Sequence, residues 1–308
     1  MSLLVVGTVA FDNIETPFGR ADMVVGGAAT YIALAASYYT RNIKIVSVIG
    51  DDFPEADLDD LRSRGVDMAG LQVKQGEKSF FWAGRYHDDM NGRDTLDTQL
   101  NVLADFDPVL PADYQNAEFV MLGNLTPAVQ MRVLDQLKQK PKLIALDTMN
   151  FWMDTAMDEL KEVIKRIDIL TINDEEARQL SGEHSLVKAA AAIHQMGPRI
   201  LIIKKGEHGA LLFYENEVFF APALPLAEVF DPTGAGDTFA GGLMGYLAST
   251  NDISFENLKR AVVYGSAMAS FCVEKFSTER LKELNDDMIT ERMLRFVQLV
   301  NFDAKLNT

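Results

Sequence analysis

Cysteine is almost absent from this chain, which has 308 residues and a single cysteine, Cys272. One cysteine excludes an internal disulfide bond and any zinc site that is built from several cysteines. Histidine is also scarce, and the spacing of the histidines is not that of metal ligands. A chain with so little thiol suits a reducing compartment, and we expect it in the cytoplasm. The histidines are His87, His184, His194 and His208.

Long hydrophobic runs are lacking as well. The longest nearly apolar stretch, residues 261–273, is too short to cross a bilayer. The N-terminal residues also lack the basic segment and the longer apolar core of a signal peptide. Basic residues are fewer than acidic residues: the chain has 29 Lys and Arg and 45 Asp and Glu, which gives a net charge of −16. This balance argues against nucleic acid or an anionic membrane as a partner, so we expect a soluble protein that binds small molecules.

The common phosphate-binding motifs are missing too. The chain contains no G-x-x-x-x-G-K-[ST] loop and no H-E-x-x-H motif. The turn after the first apolar run reads GTVAFD, residues 7–12, instead of G-x-G-x-x-G. Any phosphate bound by this acidic chain must therefore be held by a local feature of another kind.

Short runs of β-branched and aliphatic residues recur between longer segments that have helical spacing. Buried parallel strands joined by helices produce this alternation. The sequence therefore predicts an α/β fold with a doubly wound, mainly parallel sheet flanked by helices, in a single domain spanning 1–308. The runs lie at residues 3–7, 43–50, 119–123, 143–147, 169–173 and 200–204.

The predicted strands end in small or polar residues. Ligands of open α/β sheets bind beyond the carboxyl ends of the strands, so these residues are candidates to surround one site. Strand ends need turn residues in any case, which is the simpler explanation for any single position. The residues are Gly7, Gly50, Gly123, Asp147, Asn173 and Lys204.

Two segments, about 11–27 and about 72–98, interrupt the alternation with a pattern of strands and turns. We expect them to pair into a small β-sheet that forms a lid over the site, and an edge hairpin without a catalytic role is the alternative. The second segment mixes aromatic residues with arginines, among them Arg85. Such side chains suit ligand recognition, or the packing of lid against lid in a homodimer.

The stretch DPTGAGD, residues 231–237, places three small residues before an acid at the predicted start of a helix. Small residues let a ligand approach the backbone, and free amides at a helix N-terminus attract an anion. The acid, Asp237, would repel a bound phosphate unless it takes a proton from a hydroxyl that attacks the phosphorus. A tight turn with a charge that suits a helix N-terminus is the simpler interpretation of the stretch taken alone.

Residues 231–244, DPTGAGDTFAGGLM, resemble the second signature of the ribokinase-like (PfkB) family of sugar and nucleoside kinases. Further pieces follow in the order typical of that family over nearly the whole chain. The resemblance implies a ribokinase-like fold with a β-sheet lid, and a kinase that transfers the γ-phosphoryl group of ATP to an alcohol group. The pieces are G-x-x-x-x-D from Gly7 to Asp12, the Gly26–Gly27 pair, N-x-x-E at Asn173 and Glu176, and KKGEHG at 204–209.

The resemblance also implies roles for individual residues. Asp237 would be the general base, and the amides around Gly234, Ala235 and Gly236 would form an anion hole. On the substrate side, Asp12 would accept hydrogen bonds from hydroxyl groups, beside the Gly26–Gly27 backbone. Tyr31 stands where relatives have Asn and would alter a substrate contact, and Arg85 of the lid is our further candidate for substrate binding.

The nucleotide and its ions have their own candidates. Asn173 and Glu176 would organise the phosphates of ATP and the water shell of Mg²⁺, although the same pair could simply form a helix capping box. Lys204 and Gly206 would border the triphosphate. Asp231 and Thr233 match positions that hold a monovalent cation such as K⁺ in many relatives.

The identity of the acceptor is the least determined part of the prediction. A sugar is our first expectation, and a nucleoside is the alternative within the same family. A ligand-binding protein that keeps the fold without phosphoryl transfer is a further alternative, because a fold alone does not determine a function.

Overall fold

The computed structural model of the chain describes residues 1–301, and residues 302–308 of the predicted 1–308 domain lie outside this range. Strands and helices alternate along most of it. The strands are β1 Leu3–Val6, β2 Ala10–Thr16, β3 Gly19–Gly26, β4 Ile43–Gly50, β5 Val66–Lys74, β6 Phe80–Tyr86, β7 Arg93–Gln99, β8 Phe119–Leu122, β9 Leu143–Asp147, β10 Ile169–Asn173, β11 Ile200–Lys204, β12 Ala210–Tyr214 and β13 Glu217–Ala221. The helices are α1 Ala28–Ala36, α2 Glu55–Ser63, α3 Pro127–Asp135, α4 Asn150–Thr155, α5 Met157–Ile164, α6 Asp174–Ser181, α7 Leu186–His194, α8 Ala235–Thr250, α9 Phe255–Cys272, α10 Glu279–Lys282 and α11 Asp286–Val300.

The main sheet has nine strands in the order β13-β12-β11-β10-β9-β8-β1-β4-β5. Every pairing from β11 to β5 is parallel, and only β12 and β13 at one edge are antiparallel. The predicted doubly wound, mainly parallel sheet is confirmed. No helix within residues 1–301 is both long and apolar enough to cross a membrane.

Helices cover both faces of the main sheet, as the fully buried strand β1 shows. Leu3 and Val5 belong to one hydrophobic cluster, together with residues of α1 and α8. Leu4 and Val6 point to the opposite face and join a second cluster with residues of α3 and α5. Because helices bury both faces of the sheet, the central strands consist of continuous apolar runs.

Helix α8 packs unusually close to its neighbours because glycines line its faces. A Cβ atom at Gly241 would lie 2.4 Å from the carbonyl oxygen of Ile32 in α1. On another face, a Cβ at Gly242 would lie 3.1 Å from the Cα of Gly265 in α9. Helix α8, whose N-terminus carries the GAGD stretch, is thereby held between α1 and α9.

A second sheet of four strands, in the order β3-β2-β6-β7, forms the lid. Its strands span residues 10–26 and 80–99. The first predicted lid segment is close to these bounds, but the predicted start of the second, residue 72, is wrong. Residues 72–74 end β5, which pairs with β4 in the main sheet. Because β5 is an edge strand and partly exposed, its polar residues resemble those of a lid.

Candidate active site

Three neighbouring strands of the main sheet, β9, β10 and β11, bring polar side chains together at their carboxyl ends. The Nζ atom of Lys204, at the end of β11, lies 2.5 Å from Oδ2 of Asp147, at the end of β9. Between these strands, Thr171 of β10 donates a hydrogen bond of 2.9 Å to the same Asp147 oxygen. Burial disfavours the charge of Lys204, but the carboxylates of Asp147 and Glu176 outweigh burial and raise the pKa of the lysine. The ammonium group of Lys204 is therefore a fixed cation at the carboxyl ends of these strands.

The N-terminus of α8 faces that cation. Gly234 is the N-cap residue, with a left-handed φ of 74°. A Cβ atom at Gly236 would lie 3.1 Å from Nζ of Lys204, so the ammonium group lies against the backbone. The amide of Ala235 donates to the carbonyl of Pro232 at 3.1 Å, whereas the amides of Gly236 and Asp237 donate to no protein group within residues 1–301. The predicted anion hole is thus centred on Gly236 and Asp237, with Ala235 already engaged.

Asp237 is partly buried in the first turn of α8. Burial, and next the carboxylate of Asp147, raise its pKa to about 7, while the charges of Lys204 and Arg93 oppose the increase. A carboxyl group with a pKa near neutrality suits proton abstraction from a hydroxyl at physiological pH.

Asp12 lies within strand β2 of the lid and is 5% exposed. A Cβ atom at Gly26 would lie 1.9 Å from Oδ2 of Asp12, so only glycine leaves room for the carboxyl group. Burial, followed by the charges of Asp231 and Asp237, raises the pKa of Asp12 to about 8. The structure thus brings Asp12 and Gly26 together, with Gly27 next to them at a left-handed φ of 91°.

Tyr31 is buried beneath the anion-hole loop. This residue is 1% exposed, and its ring packs beneath the backbone of Gly234, where a Cβ atom would approach within 2.4 Å. Its neighbours are apolar residues of the cluster that includes Phe271 and Cys272. The ring of Tyr31 therefore supports the anion-hole loop from below, and its hydroxyl is buried without a hydrogen-bond partner within residues 1–301. Its substrate contact stays a prediction.

Arg85, our lid candidate for substrate binding, lies on the outer face of the lid. It pairs with Glu15 through two hydrogen bonds of 2.9 and 3.2 Å, and its side chain is 53% exposed. Side chains alternate between the two faces of a strand, so Arg85 faces away from its neighbour Tyr86. The hydroxyl of Tyr86 accepts a hydrogen bond of 3.1 Å from Thr233, which places the Tyr86 face of the lid on the anion-hole loop.

Asp147, Tyr86 and Arg93 also belong to the site, although the sequence assigned no individual role to any of them. Asp147 was only one of the strand-end candidates, and Tyr86 and Arg93 were part of the mixed aromatic and arginine segment of the lid. Asp147 carries a signal in the sequence, because it ends a predicted strand as Asn173 and Lys204 do. Arg93 opens β7 directly opposite Tyr86, and its charge reaches Asp12, Asp237 and Glu176. Alternation within β6, counted from Trp82, would reveal Tyr86 once the inward face is known, whereas a bulge in β7 breaks the alternation before Arg93.

Asn173 and Glu176 form the capping box that was weighed as an alternative. Oε2 of Glu176 accepts from the backbone amide of Asn173, and Oδ1 of Asn173 accepts from the amide of Glu176, both at 2.7 Å. Burial raises the pKa of Glu176 to about 7, and the Lys204 charge opposes the increase. Within residues 1–301 no group of three or more acidic, histidine or cysteine side chains could hold a metal ion directly. Glu176 and Asp147 suit an ion that keeps most of its own waters.

Asp231 and Thr233 brace the anion-hole loop. Oδ1 of Asp231 accepts from the amide of Thr233 and Oδ2 from the amide of Ser277, each at 2.8 Å. Gly206, predicted to border the triphosphate, has a left-handed φ of 53°, and a Cβ there would lie 3.0 Å from Oδ1 of Asn91 in the lid. The tip of the lid therefore contacts the loop after β11.

Comparison with known proteins identifies the family. Residues 4–284 match the pfkB family of carbohydrate kinases. The chain is 32% identical to a cytidine kinase of Thermococcus kodakarensis, over 80% of this chain and 88% of that protein. It is 27% identical to a nucleoside kinase of Methanothermobacter thermautotrophicus, over 90% and 91% of the two chains.

Solved structures share the fold. A putative ribokinase II of E. coli, solved in complex with ATP and Mg²⁺, superposes with a TM-score of 0.76 at 19% identity, covering 97% of this chain and 99% of that one. The predicted ribokinase-like fold is confirmed, and so is the predicted class of enzyme, a phosphotransferase with a hydroxyl acceptor. The chain belongs to the pfkB family of carbohydrate kinases.

Proposed function

We propose that the protein transfers the γ-phosphoryl group of ATP to a hydroxyl group of a nucleoside. The observation that carries the reaction is the position of Asp237, beside free amides and Lys204 at the N-terminus of α8. The nucleoside is favoured over our first expectation, a sugar, because the cytidine kinase and the nucleoside kinase align with 80% and 90% of this chain at 32% and 27% identity. An inositol 3-kinase of Arabidopsis thaliana aligns with 93% of it at the lower identity of 24%.

Asp237 would take the proton of the acceptor hydroxyl while that oxygen forms its bond to phosphorus and the bond to the ADP oxygen breaks. Asp12 would hold the acceptor by hydrogen bonds to its hydroxyl groups, against the backbone of Gly26 and Gly27. The amides at Gly236 and Asp237, together with Lys204, would stabilise the negative charge on the transferred group.

Asn173 and Glu176, with Asp147, are our candidates to bind the waters of Mg²⁺. When bound, Mg²⁺ neutralises phosphate charge. Asp231 and Thr233 remain candidates to lie near a monovalent cation such as K⁺, although both oxygens of Asp231 already accept backbone amides.

A cytoplasmic location and a homodimer formed through the lid also remain proposals. The single cysteine supports the location. Strand β7 supports the dimer, since it is an edge strand of the lid and all seven of its residues are exposed. An exposed edge offers unpaired backbone groups to a second copy.

A substrate panel tests the choice of acceptor. We expect turnover with ribonucleosides, and a kcat/KM at least about 10-fold higher than with free ribose, since a bound base adds contacts that ribose lacks. Coupled detection of ADP gives the rates, and the phosphorylated position follows from NMR of the product. A preference for a free sugar would restore our first expectation. Tight nucleoside binding without ADP release would favour the non-catalytic alternative.

A further inference from the structure

Three carboxyl groups converge where the carboxyl ends of β9 and β10 meet the N-terminus of α8. Asp147 and Glu176 are both buried, and Asp237 lies in the first turn of α8. Burial raises the pKa values of Glu176 and Asp237, and the negative charge of Asp147 adds to both increases. Because acids that repel one another are costly to bury, this arrangement calls for a cation among them.

Lys204 of β11 supplies a cation from the same face of the sheet. Thr171 of β10 pairs in register with Asp147 of β9. Two residues further along β10, Asn173 pairs with Lys204. Paired residues of parallel strands project to one face, so the side chain of Lys204 reaches back across β10 to Asp147, with Nζ 2.5 Å from Oδ2.

Contacts on two sides hold the ammonium group in place. Oδ2 of Asp147 also accepts a hydrogen bond of 2.9 Å from Thr171, and a Cβ atom at Gly236 would lie 3.1 Å from Nζ of Lys204. The Lys204 and Asp147 side chains are 18% and 11% exposed. Burial opposes the charge of Lys204, but the carboxylates of Asp147 and Glu176 outweigh burial and raise the pKa of the lysine. The group therefore stays charged at physiological pH.

A divalent ion could not share this position with Lys204. Mg²⁺ binds oxygen atoms at about 2.0–2.1 Å, so an ion on Oδ2 of Asp147 would lie within about 4 Å of the ammonium group, and the two charges would repel. Of the three carboxyl groups, only that of Asp147 lies within 4.0 Å of a cationic side chain of residues 1–301, and that side chain is Lys204. Oε2 of Glu176 caps α6, whereas its Oε1 accepts no hydrogen bond from residues 1–301 and is left for water.

We propose that Lys204 takes the place of a protein-bound divalent ion among Asp147, Glu176 and Asp237, so that the protein binds no such ion before the nucleotide brings one. This inference rests on the proposed kinase function. Lys204 keeps its proton during the transfer and forms no covalent bond. Glu176 then accepts hydrogen bonds from waters of the Mg²⁺ that arrives with ATP, and the metal enters the site together with the nucleotide.

Binding of Mn²⁺ to the nucleotide-free protein tests the inference without turnover. Mn²⁺ stands in for Mg²⁺, and the EPR signal of the free ion shows how much of it is bound. For the wild type we expect a Kd no tighter than about 1 mM. For Lys204→Met we expect binding at least about 10-fold tighter, because the acids lose the cation that repels a metal ion. Lys204→Arg keeps the charge and should bind Mn²⁺ as weakly as the wild type does.

Two further variants locate the gained site. Adding Asp147→Asn to Lys204→Met should abolish the gain, because it removes the carboxylate at the centre of the cluster. The matched control is Lys188→Met, which removes an exposed lysine of α7 and should bind Mn²⁺ as the wild type does. Circular dichroism shows whether each variant is folded. Tight Mn²⁺ binding by the wild type that Asp147→Asn removes, or a folded Lys204→Met variant without the gain, would overturn the inference.

The Mg²⁺ dependence of the wild type is a second test, which decides the question even if Lys204→Met does not fold. At saturating ATP and acceptor, raising free Mg²⁺ from about 1 to about 10 mM should change kcat by less than about 2-fold, since only the ion carried by ATP is used. A kcat that rises several-fold with free Mg²⁺ would contradict the inference. A wild type without turnover for any acceptor would instead refute the proposed function, and the Mn²⁺ measurement would still test the role of Lys204.

Discussion

The carboxyl group of Asp237 is held in surroundings that favour its neutral form. Burial and the nearby Asp147 carboxylate raise its pKa to about 7. A carboxyl group in an unfolded chain has a pKa of about 3.9. Between these two values the folded protein retains a proton that the unfolded chain releases, so this group lowers stability as the pH rises. The feature that suits Asp237 to act as a base therefore weakens the fold.

Removal of this carboxylate should stabilise the protein at alkaline pH. Because Asn cannot ionise, we expect Asp237→Asn to have a Tm about 2 °C or more above that of the wild type at pH 8. The difference should shrink as the pH falls below 7 and disappear only below about pH 3, where wild-type Asp237 is protonated in both states.

Differential scanning fluorimetry from pH 5 to pH 8 measures this effect. The control is Asp105→Asn, which changes an exposed acid in a turn and should leave Tm unaltered. A Tm difference for Asp237→Asn that is constant across the pH range would show that ionisation of this group is not the cause.

At the scale of secondary structure, helix α8 determines where the anion hole lies. Gly241 faces the backbone of α1 and Gly242 faces α9, so both helices approach α8 more closely than larger residues would permit. Tyr31 of α1 then reaches beneath Gly234. The spacing between α1 and α8 thus sets the height of the GAGD amides above the sheet.

Widening this contact should damage both stability and activity. A Cβ atom at Gly241 would lie 2.4 Å from a backbone oxygen that cannot move without α1. We expect Gly241→Ala to lower the unfolding free energy by about 1–3 kcal/mol, since overpacking strains a close helix contact. Urea unfolding followed by circular dichroism measures the change. Ser249→Ala, on the exposed end of the same helix, should unfold as the wild type does, and equal stability of Gly241→Ala would refute the tight contact.

In the lid strand β7, alternation of side chains along the sequence does not predict the orientation of Arg93. Strict alternation counted back from Thr98, which pairs with Trp82, would place Arg93 on the outer face. The pairing of β6 and β7 instead shifts between Ala83 and Gly84, and Leu96 is the extra residue in β7. This bulge turns Arg93 inward beside Tyr86. No turn residue marks the bulge, so the sequence could not show which arginine faces the site.

Over the whole molecule, the continuous apolar runs predicted the central strands well. The predicted runs correspond to β1, β4, β8, β9, β10 and β11, because strands buried on both faces need such runs. The edge strands β5 and β13, and β12 next to β13, are partly exposed and carry a weaker signal. The GAGD stretch and the strand ends at Asn173 and Lys204 indicated the site. The burial of Tyr31 and the pairing of Arg85 depend on tertiary contacts that no local pattern encodes.

The site combines parts that lie far apart along the chain. Asp12 comes from the lid, Asp147 and Lys204 from the main sheet, and Asp237 from α8. The chain carries a net charge of −16, so a triphosphate at this site would depend on local cations such as Lys204 to offset the overall negative field. Phosphoryl transfer at Asp237 is the central claim that this arrangement supports.

The turnover of Asp237→Asn with ATP, Mg²⁺ and the preferred acceptor tests that claim most directly. We predict that kcat falls by about 10²- to 10⁴-fold because the general base is lost, while the variant stays folded and binds ADP as the wild type does. Asp105→Asn, measured in parallel, should keep the wild-type rate. A folded Asp237→Asn variant with a wild-type kcat would contradict the account.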